Sequence, residues 1–279
     1  DPRIPPSVRE QIRHSLGLDQ PWPIRYVKWV TAFVHGDLGW SFMSHVPVAE
    51  LIRERLPNTL WVVGIAYIVS VVIAIPAGLL SSVRRNGITD HVISTLAYFG
   101  FSMPTFFTGV LFIIIFSIKL GWFSFLYNSN LHVTSLQTFW EQVQQSIMPI
   151  AVLGLFDAAI LTRFVRSEML EHLPLDYVRT ARAKGLWERA VILGHVLRNS
   201  LIPVVTLIAL GIPTVFGGAI VTEQIFHVPG IGQLLIESIL TGDTPVVADV
   251  VMIFAVLVVG FNLIADVLYA VLDPRITYS

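Results

Sequence analysis

The chain has 279 residues, 54% of them hydrophobic and 13% charged, with a mean hydropathy of +0.71 and a formal net charge of −1. A soluble domain carries about a quarter charged residues, so this composition argues against a water-soluble globular protein and points to a membrane. There is no cysteine, which removes disulfides, thiolate metal sites and thiol nucleophiles.

Residues 1–58 are mixed in character. "SVREQIRHSLGLD" predicts a short amphipathic helix ended at Gly17, and "PWPIRYVKWVTAFVHG" a second ended at Gly36. Trp22, Trp29 and Trp40 suit an interfacial aromatic belt. "VAELIRERL" (48–56) is a further helix leading into the first span. The segment reads as a cap on the outer membrane face, without chemistry of its own.

Residues 59–279 form the transmembrane core. Five segments approach or meet the spanning length of about 20 apolar residues: about 59–83, 92–118, 147–165, 199–222 and 245–272. The first, second and fourth carry no Asp, Glu, Lys, Arg or His. Pro76, Pro104, Pro149, Pro203 and Pro213 lie in or near these spans, where neighbouring helices can re-satisfy freed carbonyls. The runs are too long and too little alternating for a barrel. The fold class is therefore an all-α polytopic membrane protein.

Basic residues orient it. Segments 84–91, 163–198 and 273–279 hold two, seven and one Lys or Arg, whereas 119–146 and 223–244 hold only Lys119. The positive-inside rule puts the first group in the cytoplasm and the second outside. Five spans with a cytoplasmic C-terminus leave residues 1–58 outside. The economical reading is an earlier span upstream of Asp1, making a six-span protein of which five are seen here.

The usual signatures of chemistry are missing. There is no G-x-x-x-x-G-K-[ST] phosphate loop, no H-E-x-x-H and no G-x-S-x-G elbow with its partners. The eight histidines are scattered, so no metal site is expected. "PGIG" (229–232) reads as a tight external turn rather than a nucleotide loop. Asp157, Asp249 and Asp266 lie within spans. Asp249 and Asp266 share one helix roughly 25 Å apart at 1.5 Å per residue, which argues against a proteolytic dyad. Interfacial positions or helix–helix hydrogen bonds explain these acids better than a proton relay.

The most polar long stretch is "DYVRTARAKGLWERAVILGHVLRNSLIPVV" (176–205). Asp176 can cap a helix from Tyr177, with Val178, Arg179, Thr180, Ala181, Arg182 and Ala183 in its body. Lys184 suits the last turn, Gly185 the left-handed stop, and Leu186 and Trp187 make an apolar knuckle beyond it. A second helix starts near Glu188 and runs into the next span. An ordinary positive-inside loop on anionic lipid would account for the charge. The knuckle and the stop suit docking into a groove on a soluble partner.

This stretch resembles the E-A-A-x-x-x-G signature of permease subunits of binding-protein-dependent ABC importers, standing here as Arg179-Thr180-Ala181 with Gly185 at the required distance. "LGLDQPWPIRYVKWV", "GDLGWSF", "PVAELIRERLPNTL", "GFSMPTFF", "TEQIFHVPGIGQLL" and "DPRI" extend the similarity to the dipeptide/oligopeptide/nickel branch. The resemblance implies a type I-like ABC importer permease in a bacterial plasma membrane, itself without catalytic activity, metal or cofactor. Its implied partners are a second homologous permease in a heterodimer, two cytoplasmic ATPase subunits that bind ATP and Mg, and an external substrate-binding protein. Membrane lipid surrounds it, and no nucleic acid is involved. Asp176 to Leu186, within a cytoplasmic loop of about 166–198, becomes the coupling helix. Glu223, Phe226, Pro229, Gly230 and Gly232 become a candidate external gate or binding-protein contact. Peptide is the leading cargo, with nickel chelate and glutathione as alternatives. A secondary transporter, an intramembrane enzyme and a structural membrane subunit are the competing classes.

Overall fold

The computed structural model describes residues 19–129, 131 and 133–272, with backbone alone at 213–218 and 268–272. The expected helix ending at Gly17 and the "DPRI" segment lie outside the described residues. Helix α1, Trp22–Val34, is followed by α2, Val48–Val83, and α3, Ile88–Ser102. Next come α4, Thr105–Phe112, wound on as a π-helix through Ile113–Lys119, and α5, Leu136–His172. Then α6, Asp176–Ala183, precedes α7, Glu188–Ala190, which continues through a π-helical stretch, Val191–Leu197, into α8, Arg198–Phe226. Helices α9, Ile231–Thr241, and α10, Thr244–Leu272, are the last among the described residues.

Among the described residues, Val48–Val83, Leu136–His172, Glu188–Ile212 and Thr244–Val267 are each long and apolar enough to cross a membrane. The expected 92–118 span departs from a straight helix. It breaks at Met103-Pro104 into α3 and α4, bent by 103°. Pro104 has no N–H to donate and disfavours helical backbone in the residue before it, and Met103 is accordingly extended at φ −88°, ψ 127°. Pro57 and Pro76 stay inside α2, and Pro149 inside α5, without ending either helix. The expected helix over 48–56 is the first part of α2 rather than a separate element.

The central contact is α2 against α5. A Cβ on Gly78 would come within 2.6 Å of Val165, and one on Gly154 within 3.0 Å of the Ala66 carbonyl. Small residues therefore let the two backbones approach, which is how helices associate where lipid supplies no hydrophobic drive. Trp61 Nε1 donates to Ser146 Oγ across this interface at 3.0 Å, and Ser146 donates to the Gln142 carbonyl. Tyr67 donates to the Ile208 carbonyl, tying α2 to α8. Val165, Met169, Val178, Ala181, Val191 and Val196 make a core at the α6 end. Val48, Ile52, Ile231, Leu234, Val246 and Val250 make another at the α9 end.

Candidate functional site

At one end of the bundle, α6 begins at Asp176 after Leu175, which holds the capping position. The sequence reading made Asp176 the cap. Its side chain makes no capping hydrogen bond, because Asp176 already has helical backbone and occupies the first turn, where a carboxylate still favours the helix dipole. Val178 and Ala181 are buried among Val165, Met169, Val191, Ile192 and Val196. They fasten α6 to α5 and to the start of the α7–α8 run. Arg179, Thr180, Arg182, Ala183 and Lys184 are exposed. Signature residue Ala181 thus faces its own chain, and the surrounding cations face away.

Gly185 adopts φ +76°. Its N–H reaches the Arg182 carbonyl at 3.0 Å, and the Leu186 N–H the Ala181 carbonyl at 3.4 Å. This is the paired bonding of a Schellman stop. Arg182 then grips Glu188 through Nη2 at 2.6 Å and Nε at 3.1 Å, squaring the corner between α6 and α7. Trp187 projects at 80% exposure and Leu186 at 39%. Tyr177 OH lies 3.0 Å from His172 Nδ1. Burial pushes the tyrosine's pKa up, so its hydroxyl stays protonated and available as a donor.

Sequence reasoning missed the second anchor at this end. Asp90, buried at the start of α3, accepts both arms of the Arg166 fork, Nε to Oδ1 at 2.7 Å and Nη2 to Oδ2 at 2.8 Å. Ser81, Ser94 and the Asn86 N–H also donate to it. The available signal was a lone acid between Arg84-Arg85 and an apolar run, with Arg166 at a matching depth on α5. Beside α6 an open cleft of about 380 Å³ runs between Ser82, Arg85, Leu173, Arg182 and Ile192.

The opposite end holds the second predicted set. Helix α8 extends to Phe226, so Glu223 and Phe226 are helical, and His227 closes it at φ 53°. The chain then turns by 81° into α9, which occupies part of what the sequence reading left as external loop and turn. Glu223 is buried; it accepts from Thr59 Oγ1 at 2.6 Å and from the Gln233 N–H at 3.0 Å. Thr59 Oγ1 in turn accepts the Ile231 N–H at 2.8 Å, and Asn58 Nδ2 donates to the Pro229 carbonyl at 3.0 Å. Gly230, at the capping position of α9, has no side chain to offer; Thr59 and Glu223 serve the first N–H groups instead, with a carboxylate at the positive end of the helix dipole.

A Cβ on Gly230 would meet Glu223 Oε1 at 2.2 Å, and one on Gly232 the Ile220 Cα at 2.6 Å. Glu223, Phe226, Pro229, Gly230 and Gly232 are all buried within this chain. The structure brings them together as the inside of the corner, while Gln224, His227 and Glu237 face outward there. Asp249 Oδ1 accepts from Trp29 Nε1 at 3.0 Å, and its buried Oδ2 has no partner among the described residues. That is the helix–helix hydrogen bond expected for one of the span acids.

The fold matches the membrane subunits of ABC transporters. An inward-facing structure of the MetNI methionine ABC transporter aligns with a TM-score of 0.64 at 19% identity, covering 80% of this chain and 96% of that one. A crystal structure of an amino acid ABC transporter with histidines aligns at 0.61 and 12% identity, over 81% and 94%. Residues 74–278 match the family described as the binding-protein-dependent transport system inner membrane component. The oligopeptide transport system permease protein AppB of Bacillus subtilis (strain 168) is 43% identical over all of this chain and 88% of its own length. The glutathione transport system permease protein GsiC of Escherichia coli (strain K12) is 38% identical over all of this chain and 87% of its own. A putative peptide transport system permease protein of Brucella abortus (strain 2308) is 38% identical over 98% and 86%. The chain belongs to the family of inner-membrane permeases of binding-protein-dependent ABC importers, in its peptide/nickel branch.

Proposed function

We propose that this chain is one half of a heterodimeric permease that passes di- or oligopeptides inward across a bacterial plasma membrane. An external substrate-binding protein delivers the peptide. Two cytoplasmic ATPase subunits bind ATP and Mg and hydrolyse the nucleotide, while this chain carries out no catalysis. The basic segments 84–91 and 163–198 lie in the cytoplasm, and residues 1–58 lie outside.

The observation that carries coupling is the two-sidedness of α6. Val178 and Ala181 fasten it to the core, while Arg179, Lys184 and the Leu186–Trp187 knuckle stand exposed. A helix held this way moves only if α5 and the α7–α8 run move with it. ATP-driven closure of the ATPase pair would therefore rock the bundle between inward-open and outward-open states. Peptide as cargo is supported by relatives that match along the whole chain and are named as oligopeptide and glutathione permeases, glutathione itself being a small peptide.

The chain has no cysteine, so a single Leu186→Cys gives a clean crosslinking handle in native membranes. An adduct with a soluble ATPase subunit, altered when ATP is trapped, is the expected result. Labelling only by lipid-phase reagents at Leu186 and its neighbours would reject the coupling assignment. ATP-dependent peptide uptake by the reconstituted importer tests the cargo.

A further inference from the structure

Helix α2 carries an exposed apolar row toward the α6 end of the bundle. Val72, Pro76, Leu80 and Val83 follow one another at three- or four-residue steps, and all are exposed. Such steps keep side chains on one face of a helix. From Val72 to Val83 the row covers about 16 Å at 1.5 Å per residue, the depth of one leaflet in a hydrocarbon core of about 30 Å. Ile88, the first residue of α3, is exposed at the same end. Surface of this kind is stable against lipid tails and unfavourable against water.

The row runs into the cleft of about 380 Å³ beside α6, whose wall includes Val83. Leu170, Leu173 and Ile192 extend the apolar wall, while Arg85, Arg182 and Glu188 bring charge to it. Arg182 spends Nε and Nη2 on Glu188, which cancels the charge of that carboxylate and leaves Nη1 to a further acceptor. Among the described residues no carboxylate pairs with Arg85, so the cleft keeps one positive charge of its own. An apolar lane of leaflet depth therefore ends at an uncompensated guanidinium, and the planar fork of arginine fits phosphate oxygens. A basic pocket between span ends is where an anionic headgroup settles. The exposed α6 residues offered above to the ATPase, Arg179, Lys184, Leu186 and Trp187, take no part in this wall.

We propose that the cleft binds an anionic phospholipid, its phosphate at Arg85 and the open edge of Arg182, one acyl chain along the Val72–Val83 row. The lipid joins the end of α2 to α6. Its assignment to the cytoplasmic leaflet rests on the orientation proposed above; the site itself does not.

The complete importer, purified in mild detergent and exchanged into mixed phosphatidylglycerol and phosphatidylcholine, is assayed for retained lipid by native mass spectrometry. Wild type should hold phosphatidylglycerol in preference. Arg85→Gln should lower its retention about five-fold, the share of one basic group at a membrane surface, and leave phosphatidylcholine unchanged. Arg189→Gln, which removes an exposed arginine outside the cleft, should change neither. Equal retention by wild type and Arg85→Gln would overturn the inference. An equal loss in Arg189→Gln would overturn it too, because attraction would then be diffuse. So would loss of ATPase subunits from Arg85→Gln with lipid unchanged, since a protein would then fill the cleft. Arg85→Cys reached by an impermeant maleimide from outside intact cells would overturn the leaflet, and the orientation with it, whatever the retention. Arg85 is exposed, so these substitutions leave the packed core untouched.

Discussion

Asp90 receives both arms of Arg166 in a buried, two-point ion pair that fastens the start of α3 to α5. Ser81, Ser94 and the Asn86 N–H also bond to the aspartate. Removing the carboxylate would leave a partly buried guanidinium without its counter-charge. Asp90→Ala is expected to cost about 2 kcal/mol or more, seen as a lower unfolding temperature of the purified permease. Asp90→Ala combined with Arg166→Met should recover part of the loss, because no uncompensated charge is left. A double variant no better than the single one would contradict this account.

The Glu223–Gly230 pair makes a sharper test, since the glycine has no room for a methyl group. Gly230→Ala would drive a Cβ into a carboxylate that Thr59 and the α9 backbone hold in place. We expect that variant to assemble poorly, with about 1–3 kcal/mol of overpacking strain. Glu223→Ala in the same chain should relieve the collision and raise the yield above that of Gly230→Ala alone. Fluorescence-detected size-exclusion of the solubilised chain reads both.

On α6, side-chain direction predicts two classes of defect. Val178→Ala removes buried methyl groups and should cost about 2 kcal/mol of stability. Arg179→Glu with Lys184→Glu should leave the melting profile unchanged and instead weaken association with ATPase subunits in pull-downs. Gly185→Val, forced into a left-handed backbone, should cost about 1–2 kcal/mol; Gly185→Asn should be milder, since asparagine tolerates that region.

Trp29 links α1 to the bundle through its indole N–H on Asp249. Trp29→Phe would leave both carboxylate oxygens of a buried aspartate unpaired, and an unsatisfied buried group costs about 1–3 kcal/mol. Proteolysis between α1 and α2 should accelerate. Trp29→Phe with Asp249→Leu should be cut more slowly than Trp29→Phe alone.

Hydropathy and charge made most of the spans legible, because a long apolar run has few other readings. The α6 region was equally open to reading: Gly185 ends the helix, and Leu186 and Trp187 project past it. What failed was local and geometric. Whether a proline bends a span depends on its surroundings, and Pro149 sits inside one long helix while Pro104 breaks another. Helix α9 lacks a side chain at its own capping position, Gly230, so its start was invisible; the capping groups come from Thr59 and Glu223, far away in sequence. Asp90 looked like a loop residue because its partner lies 76 positions on. The buried setting of Glu223 was hidden for the same reason, since Thr59 meets it only in the fold.

The break at Met103-Pro104 has a mechanical meaning. Helix α5 runs 37 residues as one helix, lacking only the rung that the Pro149 nitrogen cannot donate, so a push at its α6 end is carried along its length. The α3–α4 pair is jointed instead. Changing its 103° bend breaks no helical hydrogen bond across the joint. Tyr98, Phe101 and Asp90 lie on one side of that joint, and Gly109, against Ile225 and Phe226, on the other. The permease thus sets one stiff strut beside one hinged strut, so the two membrane faces need not open together.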